Sequence, residues 1–208
     1  MEHNLYNTKY NVVYDKIRPS ITHNFLSDKE IKEIINDKDL IKASKSGVID
    51  EVGLSKDIRD VTISQLLINE KSNKYGWLQE RIFNHIKRII NDSDFPAIEV
   101  HSVNQIELLK YTAGGKYLWH SDIDFNTNTS HMQRKFSAVI ALNDRDVDFT
   151  GGYLKLKDFY NMADPLDKNY LRPGSIVVFP SYMRHIATPV TSGTRYSIVA
   201  WAEGPYWR

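Results

Sequence analysis

The sequence predicts an α+β protein, with helices in its N-terminal half and many short strands in its C-terminal half. Before Pro96, apolar residues recur at the three- and four-residue spacing of amphipathic helices. After Pro96, short β-branched and aromatic runs are broken by Gly, Pro, Asn and Asp. Many short strands with turn residues between them are typical of a β-sandwich or a β-barrel, and spacing alone does not distinguish these two architectures.

Two helices and a short strand are predicted before Pro96. Residues 27–30, Ser-Asp-Lys-Glu, have the pattern of a capping box, and a short amphipathic helix should run from there to about Asp39. A second helix is expected over residues 75–90, where apolar side chains recur on one face and indicate a core-facing helix. Residues 59–63 are predicted as a short strand, preceded by an exposed loop rich in Ser, Lys, Asp and Gly.

Six β-branched or aromatic segments after Pro96 are predicted as strands. They are residues 98–100, 105–111, 136–142, 153–156, 175–179 and 196–201. The sequence contains no internal repeat and no low-complexity tract, so these strands are expected to belong to one non-repetitive architecture.

Length, composition and charge restrict the class of protein. With 208 residues and 41% hydrophobic content, the chain can bury a sizeable core, and we favour one domain over two small ones. The net charge of +1 argues against nucleic acid as a partner, because nucleic-acid-binding proteins usually present a basic face. The absence of Cys excludes disulfides and thiolate metal sites. No signal peptide or membrane-length apolar run is visible, so we expect a cytoplasmic protein without a membrane partner.

A candidate metal site combines the His-x-Asp pattern at His120 and Asp122 with the distant His185. If this segment is a strand, His120 and Asp122 point to the same face, because alternate side chains of a strand do so. Two imidazoles and one carboxylate form the triad that leaves open positions on non-heme Fe(II). Asp124 lies on the same face if the strand continues, and it is the alternative carboxylate ligand. A His-x-Asp pattern alone is common, so the metal prediction depends on the combination.

The residues around Arg195 indicate an anion site. Arg195 and Ser197 share one face of a predicted strand, whereas Tyr196 and Ile198 share the other. A planar guanidinium can bind a carboxylate through two hydrogen bonds, and the Ser197 hydroxyl can donate to the same group. The alternative is an ordinary strand arginine in a surface ion pair.

The order of these motifs resembles that of the Fe(II)- and 2-oxoglutarate-dependent oxygenases. His-x-Asp is followed by a distal His, by an Arg ten positions later and by a Ser two positions further on. Five segments are similar to the prolyl 4-hydroxylase-like branch, namely residues 111–122, 137–143, 149–154, 172–180 and 195–201. The resemblance covers about the C-terminal half. It implies a double-stranded β-helix, a form of jelly roll, with N-terminal helices buttressing its larger sheet. We therefore expect a single oxygenase domain over residues 1–208, with a support region (1–97) and a catalytic core (98–208).

The resemblance also implies the cofactors and the reaction. Fe(II) would be bound by His120, Asp122 and His185, since the family's His-x-Asp spacing favours Asp122 over Asp124. 2-Oxoglutarate and O2 would be co-substrates, and ascorbate is a further cofactor that the resemblance allows. Oxidative decarboxylation would release succinate and CO2. Because Asp122 is present where halogenating relatives leave a gap, the expected outcome is hydroxylation of a substrate C–H bond.

Four residues are assigned to 2-oxoglutarate by the same resemblance. Arg195 and Ser197 would hold its distal carboxylate, and Tyr111 would donate its phenol to the co-substrate. A packed core aromatic is the alternative role for Tyr111. Leu154 would form a wall of the pocket.

The expected substrate is a protein or peptide, with prolyl residues as the first choice. In prolyl hydroxylase-like members, the residue matching Trp201 lines the substrate pocket, and an Arg near the position of Arg134 reaches the peptide. An aromatic face is a suitable wall for a proline ring. Some members carry a Tyr where this chain has Ala141, so the chain departs from the family there.

Two other functional classes stay open. A nucleic-acid demethylase of the same superfamily would carry a second Arg six positions after Arg195, where this chain has Trp201. A non-catalytic cupin-like metal-binding module would show His-x-His instead of the pattern at His120 and Asp122. The sequence does not indicate an oligomeric state.

The remaining polar candidates have ordinary alternatives. Residues 125–133 form a polar loop that could cover the site, although most such loops are solvated connectors, and His131 within it could reach a substrate. Surface or satisfied core positions are expected for the other histidines, His3, His23, His85 and His101.

Overall fold

The computed structural model describes residues 19–42, 45–46, 57–66, 74–93, 98–123, 132–157 and 172–206. In these ranges the chain forms three helices and thirteen strands. The helices are α1 (Asp28–Ile35), α2 (Lys38–Lys42) and α3 (Gly76–Asp92). The strands are β1 (Ser20–Thr22), β2 (Lys45–Ser46), β3 (Arg59–Asp60), β4 (Thr62–Gln65), β5 (Ser102–Tyr111), β6 (Lys116–His120), β7 (Met132–Ala141), β8 (Phe149–Gly151), β9 (Leu154–Lys157), β10 (Ile176–Pro180), β11 (Arg184–Ala187), β12 (Val190–Gly193) and β13 (Arg195–Pro205). Residues 47–56 of the predicted N-terminal loop lie outside the described ranges.

Helix α1 begins as predicted but ends earlier. The Ser27 backbone N–H donates to Glu30 Oε2 at 2.8 Å, and the Ser27 hydroxyl accepts from the Glu30 N–H at 3.4 Å, which forms the predicted capping box. The prediction of a helix to Asp39 is wrong, because α1 ends at Ile35. The reason is Asp37, whose carboxylate accepts from the backbone N–H groups two and three residues further on and so begins the separate helix α2.

Helix α3 packs on the sheet through the predicted apolar stripe. It runs over Gly76–Asp92, within two residues of the predicted bounds, and Ile82 and Ile86 are fully buried. His85 is buried on the same helix, with its Nε2 atom 3.2 Å from the Thr22 hydroxyl oxygen. The expectation of a satisfied core position for His85 is confirmed.

Two strand predictions are wrong. Residues 98–100 form no strand, although this segment passes so close to Gly204 that a Cβ atom there would lie 2.1 Å from Glu99 O. Residues 59–63 do not form a single strand, because the chain breaks at Val61 and β3 and β4 join different sheets. The buried Val61 side chain belongs to the apolar cluster between those sheets. The five other predicted strands are present, and three of them extend further than predicted.

The strands form three antiparallel sheets. The large sheet has seven strands in the order β1-β10-β7-β13-β5-β4-β2, the second has the order β3-β6-β11-β9, and the third pairs β12 with β8. Strand β13 lies at the centre of the large sheet, where Ser197 is opposite Ala141 on β7 and Leu109 on β5. Many spatial neighbours are therefore distant in sequence, as in a jelly roll.

Different elements cover the two faces of the large sheet. On one face, Ile34 of α1 and Ile82 of α3 share an apolar core with Ile198 of β13. On the other face, Val139 of β7 packs in a cluster with Leu156 of β9. The helices therefore buttress the larger sheet, as predicted, while the smaller sheets form a second layer. Among the described helices, none combines the length and the apolar character that a membrane span requires.

Candidate active site

A cavity opens between the large sheet and the four-stranded sheet. It encloses about 480 Å³, including its open mouth, and its walls come from β5, β7 and β13 on one side and from β6, β9 and β11 on the other. Strand β3 adds Arg59 to the wall. All seven residues that the sequence analysis assigned to iron or 2-oxoglutarate line this cavity.

The three candidate metal ligands converge at one end of the cavity. His120 ends β6, and the pairing of β6 with β11 places His185 opposite it. Asp122 lies beyond the end of β6, so strand alternation does not orient it as expected; its backbone N–H donates to Ser181 O at 2.9 Å instead. Asp122 Oδ1 is 3.6 Å from His120 Nε2, and Oδ2 is 3.5 Å from His185 Nε2. One ligand atom from each residue lies within 4.8 Å of the other two.

Both imidazoles are held in the same tautomer. His120 Nδ1 lies 2.7 Å from Leu118 O, and His185 Nδ1 lies 3.1 Å from Met183 O. A carbonyl oxygen can only accept a hydrogen bond, so Nδ1 carries the proton in each ring and Nε2 keeps its lone pair. A metal-binding histidine is typically oriented in this way.

The protonation states of these groups suit a divalent metal. Burial lowers the pKa of His120 to about 4, with a further decrease from His185 and an opposing contribution from Asp122. Burial alone would raise the pKa of Asp122, but His185, His120 and a hydrogen bond from Ser137 hold the carboxyl pKa below its usual value. At neutral pH the site therefore offers a neutral imidazole at His120 and an ionised carboxylate, as metal binding requires. Two nitrogens and one carboxylate oxygen fit non-heme Fe(II).

Arg195 is a buried cation that makes no ion pair with a carboxylate in the described part of the chain. Its residue is 3% exposed, and burial lowers the pKa of its guanidinium while Tyr111 opposes this change. Ser197 lies on the same face of β13, is 1% exposed, and its hydroxyl has no hydrogen-bond partner among the described residues. An unpaired buried charge and an orphaned hydroxyl both cost free energy of folding. A carboxylate ligand would satisfy both groups.

Tyr111 and Leu154 also line the cavity that contains Arg195 and Ser197. Tyr111 lies opposite Arg195 in the ladder between β5 and β13. Burial raises the pKa of Tyr111, so its phenol keeps its proton and can donate a hydrogen bond to a ligand. Leu154 is buried on β9 and lines the facing wall.

The two candidate substrate residues occupy different places. Trp201 is buried and lines the cavity, whereas Arg134 is stacked on its indole, with Cζ 4.0 Å from the ring centroid. An Arg134 guanidinium nitrogen also donates to Gln105 Oε1 at 2.8 Å. The Trp201 N–H makes no well-formed hydrogen bond to a described residue, although it lies near enough to Asp122 to contribute to the lowered carboxyl pKa.

Three cavity residues with polar side-chain groups were missed by sequence reasoning: Arg59, Tyr117 and Ser137. Arg59 is 7% exposed, lies 3.7 Å from a carboxylate oxygen of buried Glu107, and stacks on Tyr117 with Cζ 4.7 Å from the ring centroid. The Tyr117 ring stacks in turn on His120, with centroids 3.5 Å apart. No sequence signal marks Arg59, because it lies far from the motifs along the chain. Ser137 could have been noticed in the sequence only as a single hydroxyl residue within the apolar run of residues 136–142.

Some predicted residues lie outside the described ranges. They are His3, Asp124 and residues 125–131 of the polar loop, which include His131. His23 and His101 are exposed, as expected.

The C-terminal half of the chain is similar to proteins of a known family. Residues 106–203 match the family model of the 2OG-Fe(II) oxygenase superfamily. A PKHD-type hydroxylase of Synechococcus sp. (strain CC9605) is 34% identical over 104 residues, which are 50% of this chain and 44% of that protein. The chain therefore spans less than half the length of this relative. The predicted resemblance to Fe(II)- and 2-oxoglutarate-dependent oxygenases is confirmed.

Solved structures share the fold at low sequence identity. A prolyl-4-hydroxylase of Pseudomonas putida superposes with a TM-score of 0.67 at 18% identity, covering 88% of this chain and 91% of that one. A prolyl hydroxylase from Trichoplax adhaerens, in complex with a hypoxia inducible factor peptide fragment, superposes with a TM-score of 0.69 at 17% identity, covering 95% and 94%. The predicted double-stranded β-helix with N-terminal buttressing helices is therefore confirmed.

Proposed function

We propose that this protein, whose residues 106–203 match the family model of the 2OG-Fe(II) oxygenase superfamily, hydroxylates a substrate C–H bond with Fe(II), O2 and 2-oxoglutarate. One observation carries the proposal. The buried Arg195 cation, unpaired within the described ranges, shares a single cavity with the His120, Asp122 and His185 cluster. A metal cluster alone fits many functions, whereas a metal cluster beside a buried carboxylate-binding cation fits a metal enzyme with a carboxylate co-substrate.

The iron would be held by His120, Asp122 and His185. When bound, iron and 2-oxoglutarate supply the O2 chemistry, in which 2-oxoglutarate becomes succinate and CO2 and one oxygen atom is transferred to the substrate. The chain would contribute metal ligands that are already in the protonation states that metal binding requires. The backbone carbonyls that accept from Nδ1 keep both Nε2 lone pairs available, and the lowered pKa keeps Asp122 ionised.

The 2-oxoglutarate molecule would be anchored in the same cavity by residues of β5 and β13. Arg195 would donate two hydrogen bonds to its distal carboxylate, and the free Ser197 hydroxyl would donate a third. Tyr111, which lines the cavity and lies opposite Arg195 in the ladder between β5 and β13, would donate its phenol to the same molecule. Leu154 and the other apolar wall residues lower the polarity around the site, which would strengthen the pairing of the guanidinium with the carboxylate.

The substrate that we propose is a prolyl residue of a protein or peptide. Trp201 supports this choice, because its indole forms part of the cavity wall near Asp122 and offers an apolar surface to a proline ring. Arg134, stacked on Trp201, would orient the indole and present a cation to a peptide carbonyl. The shared fold of the Trichoplax adhaerens prolyl hydroxylase, which was solved with a peptide, also supports it.

We also propose that residues 1–208 form one oxygenase domain, in which residues 1–97 support a catalytic core of residues 98–208. Ile82 of α3 lies in the same apolar core as Ile198 of β13, which supports a shared folding unit. Arg59 on β3 supports it further, because this N-terminal residue contributes to the wall of the cavity.

The test is mass spectrometry of a peptide library incubated with the protein, Fe(II), 2-oxoglutarate and ascorbate. Each proline-containing peptide is paired with the same peptide carrying alanine at that position. We expect a mass gain of one oxygen atom in proline-containing peptides only, together with accumulation of succinate. A methylated oligonucleotide is incubated in parallel. Demethylation of the oligonucleotide without oxygen transfer to any peptide would contradict the prolyl substrate and favour the demethylase alternative.

A further inference from the structure

The Asp122 carboxylate is oriented by groups outside its own strand. Because β6 ends at His120, the strand backbone does not determine where the Asp122 side chain points. The turn after β10 takes over this role, since Ser181 O accepts from the Asp122 backbone N–H at 2.9 Å. The same turn supplies Met183 O, which accepts from His185 Nδ1. Two of the three candidate ligands therefore depend on one short turn.

Two buried hydroxyls form a directed chain that ends on Asp122. The Ser137 hydroxyl donates to Asp122 Oδ2 at 2.6 Å, and the Ser181 hydroxyl oxygen lies 3.0 Å from that of Ser137. Since the Ser137 proton is used on the carboxylate, Ser181 must be the donor in the second hydrogen bond. Ser137 is 2% exposed and Ser181 is 0% exposed, so water does not compete with either bond. Hydrogen bonds in such a chain strengthen one another, and the bond to the carboxylate is charge-assisted.

The chain of hydroxyls makes the two carboxylate oxygens unequal. Both oxygens are similarly close to an imidazole, at 3.6 Å for Oδ1 to His120 Nε2 and 3.5 Å for Oδ2 to His185 Nε2. Distance alone therefore does not select the metal ligand. Oδ2 already accepts the Ser137 hydrogen bond, whereas no well-formed hydrogen bond from the residues that the structure describes reaches Oδ1, although the Trp201 N–H lies near the carboxylate.

We propose that Ser137, supported by Ser181, is a positioning residue that makes Asp122 bind the metal through Oδ1 alone. This inference rests on the proposed function, because it assumes that the cluster holds a metal. One-oxygen ligation leaves a coordination position free that a two-oxygen carboxylate would occupy. Ser137 thus preserves the open positions that a carboxylate co-substrate and O2 need.

Metal binding without turnover tests this role. Calorimetry with Co(II) alone gives the affinity, and the visible spectrum of the Co(II) protein reports the coordination number. Ser137→Ala should weaken binding about 10- to 100-fold, the usual cost of losing a partner that orients a metal ligand. It should also change the absorption intensity, because the freed Oδ2 can then coordinate. Ser64→Ala is the matched control, since Ser64 is another buried serine whose hydroxyl donates to Leu40 O at 2.9 Å, on the helix-facing side of the large sheet.

A second pair of variants separates the hydroxyl from side-chain size. Ser137→Thr and Ser137→Val have the same shape, and only Thr keeps the donor. We expect the Thr protein to bind Co(II) more tightly than the Val protein and to keep the wild-type spectrum. Ser181→Ala should cause a smaller loss of affinity than Ser137→Ala, because it removes only the supporting hydrogen bond.

The outcomes separate this inference from the proposed function. If the folded wild-type protein binds no divalent metal, the proposed function fails. If wild type binds Co(II) but the Thr and Val proteins bind it equally, the Ser137 hydroxyl has no positioning role and only this inference fails. Wild-type affinity in Ser181→Ala would contradict the supporting role of Ser181.

Discussion

Tyr111 and Arg195 lie directly opposite each other in the ladder between β5 and β13, with the guanidinium carbon 5.1 Å from the centroid of the phenol ring. Both residues are 3% exposed. The candidate anion site is therefore built on two strands in the interior of the large sheet and not on a loop. A site on rigid strands is already shaped for its ligand, so changes that disturb Arg195 should affect ligand affinity more than they affect the fold.

Arg195→Ala should weaken 2-oxoglutarate binding. Removal of the guanidinium leaves the distal carboxylate buried without its charged partner, which should cost about 2 to 5 kcal/mol, or roughly 30-fold or more in affinity. Arg195→Lys should restore only part of the loss, because an ammonium lacks the two-pronged geometry. Calorimetry with 2-oxoglutarate and the Mn(II) protein measures the effect. Arg184→Ala is the control, since Arg184 is an exposed arginine beside His185 on β11; equal losses in both variants would contradict the assignment.

Gly152→Ala should impair the same site indirectly. Gly152 has a φ of +59°, and a Cβ atom there would lie 3.0 Å from Arg195 Cδ and 3.1 Å from side-chain carbons of Phe149 and Val190. Gly114 has a φ of +88° and nothing within 4 Å of such a Cβ atom, so Gly114→Ala is a matched control for backbone strain. Both variants should lose about 1 to 2 kcal/mol of stability from the left-handed conformation. Only Gly152→Ala should also bind 2-oxoglutarate more weakly, and equal affinity in the two variants would show that Arg195 adjusts freely.

The residues assigned to iron and 2-oxoglutarate could be selected from the sequence because their spacing follows the family motifs. The structure brings His120, Asp122 and His185 together, but it orients Asp122 by a turn after β10, which strand periodicity could not indicate. Arg59 reaches the cavity from an N-terminal strand, and its place depends on sheet pairing between segments far apart in the chain.

The boundaries of the helices and strands could likewise be predicted only where local contacts determine them. The capping box predicted the start of α1, because its hydrogen bonds are local. The early end of α1 could not be predicted from the apolar spacing, which continues past Ile35. It depends on the Asp37 carboxylate, which caps the next helix. The predicted strand over residues 59–63 was divided by the packing of Val61 between two sheets, a tertiary effect that local propensity does not include.

Asp122→Ala should abolish tight iron binding, whereas Asp124→Ala should retain most of it. The first change removes the only carboxylate of the described metal-ligand cluster. Metal analysis after dialysis against limiting Fe(II) under anaerobic conditions measures both variants. If Asp124→Ala loses iron and Asp122→Ala retains it, Asp124 and not Asp122 is the carboxylate ligand.

Acid should destabilise the metal-free protein in a window set by His120. The pKa of His120 is lowered from 6.5 to about 4 in the folded state, so the unfolded chain binds the extra proton between these values. The free energy of unfolding should therefore fall as the pH decreases from about 6.5 to about 4. Buried His85, whose pKa is also lowered, contributes a loss of the same sign. Urea unfolding at about pH 7 and about pH 5 should show a smaller decrease for His120→Gln than for wild type; equal decreases would contradict the lowered pKa.

O2 labelled with heavy oxygen shows directly whether the protein couples the oxidation of 2-oxoglutarate to the hydroxylation of a peptide. The protein is incubated with Fe(II), 2-oxoglutarate and the proline-containing peptide library, and both succinate and peptides are analysed by mass spectrometry. We expect one labelled atom in succinate and one in a hydroxylated prolyl peptide, with neither product formed by the Asp122→Ala protein. A folded, iron-loaded wild-type protein that consumes no 2-oxoglutarate and labels no product would contradict the assignment of an Fe(II)- and 2-oxoglutarate-dependent hydroxylase.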